Sequence, residues 1–131
     1  MKLSVIGCGY LGAVHATAMA SLGHEVVGID VDENRIAMLA SGKAPFFEPG
    51  LDDLLTKARD RGTLTFSTDF AAASDATVHF VAVGTPQRAD GDGADLRYVD
   101  SAIASLTAVL SPGDLVVGKS TVPVGTARRL A

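Results

Sequence analysis

Apolar positions crowd into residues 2–6, KLSVI, then give way to GCGYLG, and return at helical spacing as Leu11, Val14, Ala18 and Leu22. The pattern predicts a strand feeding a helix over 10–22, with those four positions as the helix's apolar face. Gly23 stands where a C-terminal cap glycine belongs, and EVVGI at 25–29 reads as a buried strand. A strand, helix, strand unit is thus complete within the first 29 residues.

Asp32 is placed to cap a second helix that runs to Ala40, with Ile36, Leu39 and Ala40 inward and Gly42 as its stop. KAPFFEPG, 43–50, is an irregular loop. LDDLLTKARDRG resumes helical spacing, TLTFST at 63–68 alternates like a strand, a short helix covers 69–74, and TVHFVAV at 77–83 is another buried strand. The Gly- and Asp-rich GTPQRADGDGADLR has the character of a functional loop. Tyr98–Leu110 follows as a helix with Val99, Ile103, Leu106 and Leu110 on one face, and DLVVGKS, 114–120, is a fifth strand.

Strands alternating with helices predict an α/β fold, a doubly wound parallel sheet with right-handed crossovers. The ligand crevice of such a sheet lies at the strands' carboxyl ends. The loops holding Gly7–Gly12, Asp30, Gly84–Pro86 and Ser120–Pro123 all fall on that edge. VGTARRLA begins a helix after Pro123 and Gly125 that nothing caps, so the expectation is one domain, 1–131, cut from a longer enzyme before its last strand-helix unit.

Composition narrows the classes. With 131 residues, 47% hydrophobic and 20% charged, the chain has material for one sizeable core and is unlike a disordered segment. Net charge is −4 with scattered Lys and Arg, so nucleic acid is not an expected partner. Every apolar run is interrupted before the roughly 18 residues of a membrane span. GCGYLG and His15 likewise break any export signal in residues 1–20. The single cysteine, Cys8, excludes an internal disulfide and fits a reducing compartment, which makes the cytoplasm the expected address.

Gly7, Gly9 and Gly12 have the spacing of the dinucleotide fingerprint, between strand and helix as that fingerprint requires. In that role Gly7 permits the tight turn, Gly9 the close approach of a pyrophosphate, and Gly12 the packing of helix on strand. Asp30, 18 residues after Gly12, ends the second strand, where a carboxylate can accept from both ribose hydroxyls. That favours NAD over NADP, tempered by the cation of Arg35. Asp32 is read as a helix cap only.

Cys8 lies inside the phosphate turn and is not expected to act as a nucleophile. His15 and His24 have no companions at metal-ligand spacing, and His79 is read as a core residue, so no metal site is expected. In KSTVPVGT, Lys119, Ser120 and Thr121 close a strand beside the crevice. Ligand contact and simple capping explain those hydroxyls equally well.

Five blocks, VIGCGYLG, GIDVDENRI, FFEPGLDDLL, VGTPQRADGDGADLRYV and KSTVPVGT, together resemble the nucleotide-sugar dehydrogenases that oxidise UDP-glucose or GDP-mannose, in that family's order and approximate spacing. EPGL and GTPQR look most like the UDP-glucose 6-dehydrogenase branch. The resemblance implies a Rossmann-like NAD-binding domain and a cofactor-facing set of Gly7, Gly9, Tyr10, Leu11, Gly12, Asp30, Arg35, Gly84, Thr85, Pro86, Ser120 and Thr121. Arg35 stands where the family often has lysine.

The family oxidises the C6 alcohol twice, through a thiohemiacetal and a thioester on a cysteine, reducing two NAD and giving UDP-glucuronate for polysaccharide biosynthesis. Thr121 matches a threonine with a supporting catalytic role, positioning water near the reacting carbon. The nucleophilic cysteine, the catalytic lysine, the central helix that builds the homodimer and the C-terminal domain are expected beyond residue 131. The chain is therefore expected to bind NAD without turnover, since covalent catalysis requires the activated thiol. Alternatives are the NAD-binding domain of a GDP-mannose or UDP-N-acetylhexosamine enzyme and a stand-alone NAD(H)-sensing module. A β-hydroxyacid-type dehydrogenase would lack FFEPGL and KSTVPVGT.

Overall fold

The computed structural model describes residues Met1–Ala131. The chain runs β1 (Lys2–Ile6), α1 (Tyr10–Ser21), β2 (Glu25–Ile29), α2 (Glu33–Ala40), α3 (Leu51–Asp60), β3 (Leu64–Ser67), a 3-10 turn (Phe70–Ala73), β4 (Val78–Val81), α4 (Arg97–Thr107), β5 (Leu115–Gly118) and α5 (Thr126–Leu130). The strands form one sheet in the order β3-β2-β1-β4-β5, with every pairing parallel. This is the doubly wound arrangement, and its order reverses between β1 and β4, where such sheets open a ligand crevice.

Side-chain alternation along β1 divides the core. Leu3 and Val5 pack with residues of α1, α2 and α3, while Ile6 faces the other way and joins Val81, Ala102 and Leu106 beneath α4. Ser4 shares the α4 face and is polar, which a buried position tolerates only with a partner. Its hydroxyl lies 2.7 Å from Nδ1 of the equally buried His79, its register partner on β4, and His79 Nε2 lies 3.5 Å from Asp114 Oδ2. His79 is thus a core residue tying β1 and β4 to the turn before β5.

The inner face of α1 differs from the one its large apolar residues predict. Gly12, Ala13, Ala16, Thr17 and Ala20 are buried, whereas Leu11 is 47% exposed and Leu22, just past the helix, is 75% exposed. Proximity is the reason. A Cβ on Gly12 would lie 1.7 Å from the Gly7 carbonyl oxygen, so the start of the helix sits against the glycine turn too closely for any side chain at that position. On α2, Ile36 and Leu39 point inward as expected, but Ala40 is exposed. No helix is long and apolar enough to cross a membrane.

Candidate functional site

The glycine turn between β1 and α1 is shaped by two close approaches. Gly7 has φ +93°, and a Cβ there would stand 2.8 Å from the Val83 backbone, while Gly12 abuts Gly7 itself. Gly9 is different. Its φ is an ordinary −66° and a Cβ would meet no protein atom, so neither conformation nor packing calls for glycine at this position. The turn leaves an unfilled cradle where α1 begins.

That cradle opens into a cleft of about 530 Å³ along the carboxyl ends of β1, β2 and β4. Gly7, Gly9, Asp30, Arg35, Gly84 and Pro86 line it, as do Ile6, Ile29, Val31, Asp32, Ala82 and Val83. Phe70 and the α4 residues Tyr98, Ser101, Ala102 and Ser105 form its far wall. That wall lies outside the residues expected from the sequence to face a cofactor. The i, i+3, i+7 stripe of Tyr98, Ser101 and Ser105 beside the inward Ala102 was the available signal.

At the mouth of α1 the amides of Gly9, Tyr10, Leu11 and Gly12 donate to nothing within the chain, the state that suits a helix N-terminus to an anion. The Cys8 amide is occupied instead, donating to Asp30 Oδ2 at 2.8 Å. Asp30 also accepts from the Asp32 amide at 2.9 Å on Oδ1 and from Arg35 Nη1 at 3.0 Å on Oδ2. Two carboxylate oxygens offer about four acceptor positions, so three donors leave one on Oδ1. Asp32 caps α2, its Oδ1 accepting from the Arg35 amide at 3.0 Å. One short carboxylate therefore joins β2, the glycine turn and the first turn of α2.

The remaining expected residues lie around this cleft rather than in its lining. The Tyr10 side chain turns outward and Leu11 is half exposed. Thr85 is half-buried beside Gly84. Ser120 Oγ donates to the Val83 carbonyl at 2.8 Å and lies 3.3 Å from that of Val81, which pins the end of β5 to β4, and Thr121 beyond it is exposed.

Cys8 is fully buried beneath the turn, with Sγ directed at the Ile29 carbonyl at 3.5 Å. Burial first, and the Asp30 charge second, push its thiol well above the ordinary range. A thiol held protonated and sealed from solvent is no nucleophile.

A cleft lined by Gly9, beside free helix-terminal amides, and by a buried carboxylate at the end of the neighbouring strand suits a dinucleotide. The family model described as UDP-glucose/GDP-mannose dehydrogenase family, NAD binding domain, matches residues 1–131. The chain belongs to this family.

A UDP-glucose 6-dehydrogenase of Rhizobium meliloti is 47% identical over 96% of the chain, which spans 29% of that enzyme. A UDP-D-ManNAc dehydrogenase structure from Pyrococcus horikoshii superposes with a TM-score of 0.95 at 34% identity, over 100% of this chain and 31% of that one. A ternary complex of GDP-mannose dehydrogenase from Pseudomonas aeruginosa gives 0.92 at 39% identity, over 99% and 30%. This NAD-binding domain thus spans under a third of each relative's length.

The residues present fit the cofactor. A Cβ at Gly9 would meet open space at the mouth of α1, and Asp30, lining the cleft, has an acceptor position free for a hydroxyl donor such as a ribose carries.

Proposed function

We propose that residues 1–131 serve as the NAD-binding domain of a UDP-glucose 6-dehydrogenase, one domain of a longer homodimeric polypeptide acting on UDP-glucose. The single observation that carries the cofactor part is the Asp30 hub. It is a buried carboxylate with one acceptor position left, facing the cleft one strand away from free helix-terminal amides.

In this reading the amides of Gly9, Tyr10, Leu11 and Gly12 hold the pyrophosphate, and Asp30 accepts from the adenosine ribose while Arg35 flanks it. Gly84, Thr85 and Pro86 border the far side. Phe70 and Tyr98 enclose the adenine, apolar surfaces against a flat ring. Bound NAD supplies the hydride acceptor. Ser120 fixes the end of β5 so that Thr121 is presented beyond it, with the supporting role of positioning water. A 2′-phosphate would place its negative charge against Asp30, which disfavours NADP.

Support for UDP-glucose over other sugars comes from the EPGL and GTPQR blocks, since UDP-glucose and GDP-mannose enzymes overlap in identity to the chain, at 39–47% and 41%. The protein encoded by the gene that carries this sequence is to be assayed with NAD and each of UDP-glucose, GDP-mannose and UDP-D-ManNAc. The expected result is fastest oxidation of UDP-glucose, and faster oxidation of either other sugar nucleotide overturns the assignment.

A further inference from the structure

Tyr10 divides its loyalties. Its amide belongs to the anion-facing end of α1, but its side chain leaves the cleft and lies on Phe46, ring centres 5.0 Å apart and tilted 59°. Its hydroxyl donates to Glu48 Oε2. Both partners come from loop 43–50, which joins α2 to α3. The Phe46 ring packs against the core. The loop is moored to α3 in turn, because the Leu51 amide donates to the Glu48 carbonyl at 3.1 Å and the Ala44 amide to Asp52 Oδ1 at 3.0 Å. A run of fixed contacts therefore leads from α3 through the loop to the first helical residue of α1.

The start of α1 lacks the usual means of support. Its cap residue is Gly9, with no side chain to accept from the first turn, and the turn contains no acidic residue. A capping carboxylate would steady those amides by occupying them. The donors would then be lost to an anion. Holding the turn from outside, through a side chain that touches none of the free amides, avoids that conflict.

We propose that Tyr10, Phe46 and Glu48 form a brace that replaces an N-cap, fixing the first turn of α1 so that the cofactor pyrophosphate meets amides already in place. All three are positioning residues, and the consequence for affinity rests on the NAD reading above. The hydrogen bond to Glu48 raises the Tyr10 phenol above its ordinary value.

Two measurements on the same variants test the brace. In the nucleotide-free chain, hydrogen exchange at the Ala13 amide, which closes the first turn on Gly9, reads fraying directly. Tyr10→Phe and Glu48→Ala should speed it several-fold, and Glu48→Gln, which keeps an acceptor oxygen, should not. In NAD titration Tyr10→Phe and Glu48→Ala should each weaken binding about fivefold, the loss of one hydrogen bond. The double variant should be no weaker than either single, because the two remove one interaction.

Unchanged exchange in all variants, or losses that multiply to about 25-fold in the double variant, overturns the brace. Wild-type affinity in both single variants overturns its role in cofactor binding. If the unaltered chain takes up no NAD, the cofactor reading fails and the exchange rates alone decide whether the brace stands.

Discussion

Asp30 and Gly9 show how differently two residues of one site are constrained. Asp30 is tied into the fold by the Cys8 amide, the Asp32 amide and Arg35, so Asp30→Ala strands a buried amide and should lower folding stability by ~1–3 kcal/mol. It should also weaken NAD and narrow the preference over NADP, because the charge that repels a 2′-phosphate is gone while Arg35 remains. Chemical denaturation and parallel titrations of both nucleotides check this, and an unchanged NAD to NADP ratio would refute the role given to Asp30. At Gly9 a Cβ meets open space. Gly9→Ala should therefore cost only about 1 kcal/mol of stability, as a poorer helix cap. It should weaken NAD more than about tenfold by crowding the pyrophosphate away from charge-assisted donors. Loss of stability with intact NAD binding would make Gly9 a structural residue only.

At the scale of elements, α1 carries a conflict that predicts a pH response. His15 sits edge-on to Phe80 of β4 with ring centres 4.5 Å apart, and its Nε2 is buried with no hydrogen-bond partner. Burial first, and the charge of Lys119 second, hold the imidazole below its ordinary value of 6.5. A depressed pKa means that the unfolded chain binds the proton more readily. The contribution of His15 to stability is then whole above about pH 6.5 and shrinks as the pH falls below it. His15→Phe keeps an aromatic contact with Phe80 and removes both the titration and the orphaned nitrogen. The variant should match or exceed the wild type at neutral pH and lose less stability between about pH 7.5 and about pH 5. Denaturation midpoints at the two pH values test this, and parallel losses would show that His15 has no part in the response.

For the whole molecule, the burial of Cys8 predicts that this chain alone does not carry out the cysteine chemistry that the family resemblance implies. Its one cysteine is fully buried under the glycine turn, with its thiol held protonated. The chain mixed with UDP-glucose and NAD should yield no NADH fluorescence above that of a Cys8→Ala control. Sustained NADH production that Cys8→Ala abolishes would refute the dismissal of Cys8. The burial also answers how Cys8 responds to a thiol reagent: access requires opening of the turn, so NAD should slow alkylation by stabilising the closed turn rather than by covering an exposed sulfur.

How much was legible beforehand follows from the range of the forces involved. Strand and helix order, the parallel sheet, the glycine turn and Asp30 as the cleft carboxylate are written in local terms, in periodicity, caps and backbone permissiveness that act over a few residues. The buried side of α1 differs from the one Leu11 and Leu22 suggest because Gly12, whose Cβ would fall 1.7 Å from the Gly7 carbonyl oxygen, turns toward the glycine turn and brings Ala13, Ala16 and Ala20 inward. Only the folded chain could reveal that close approach. The same holds for the Phe70 and Tyr98 wall, for the three donors that converge on Asp30, and for the Tyr10 side chain reaching Glu48 across 38 residues. The sequence by itself determined which elements form and which loop can face a phosphate, because those choices are made by neighbours along the chain. Tertiary structure decided which side chains share a wall, a hydrogen bond or a burial site, because those depend on distances that exist only once the sheet has brought remote segments together.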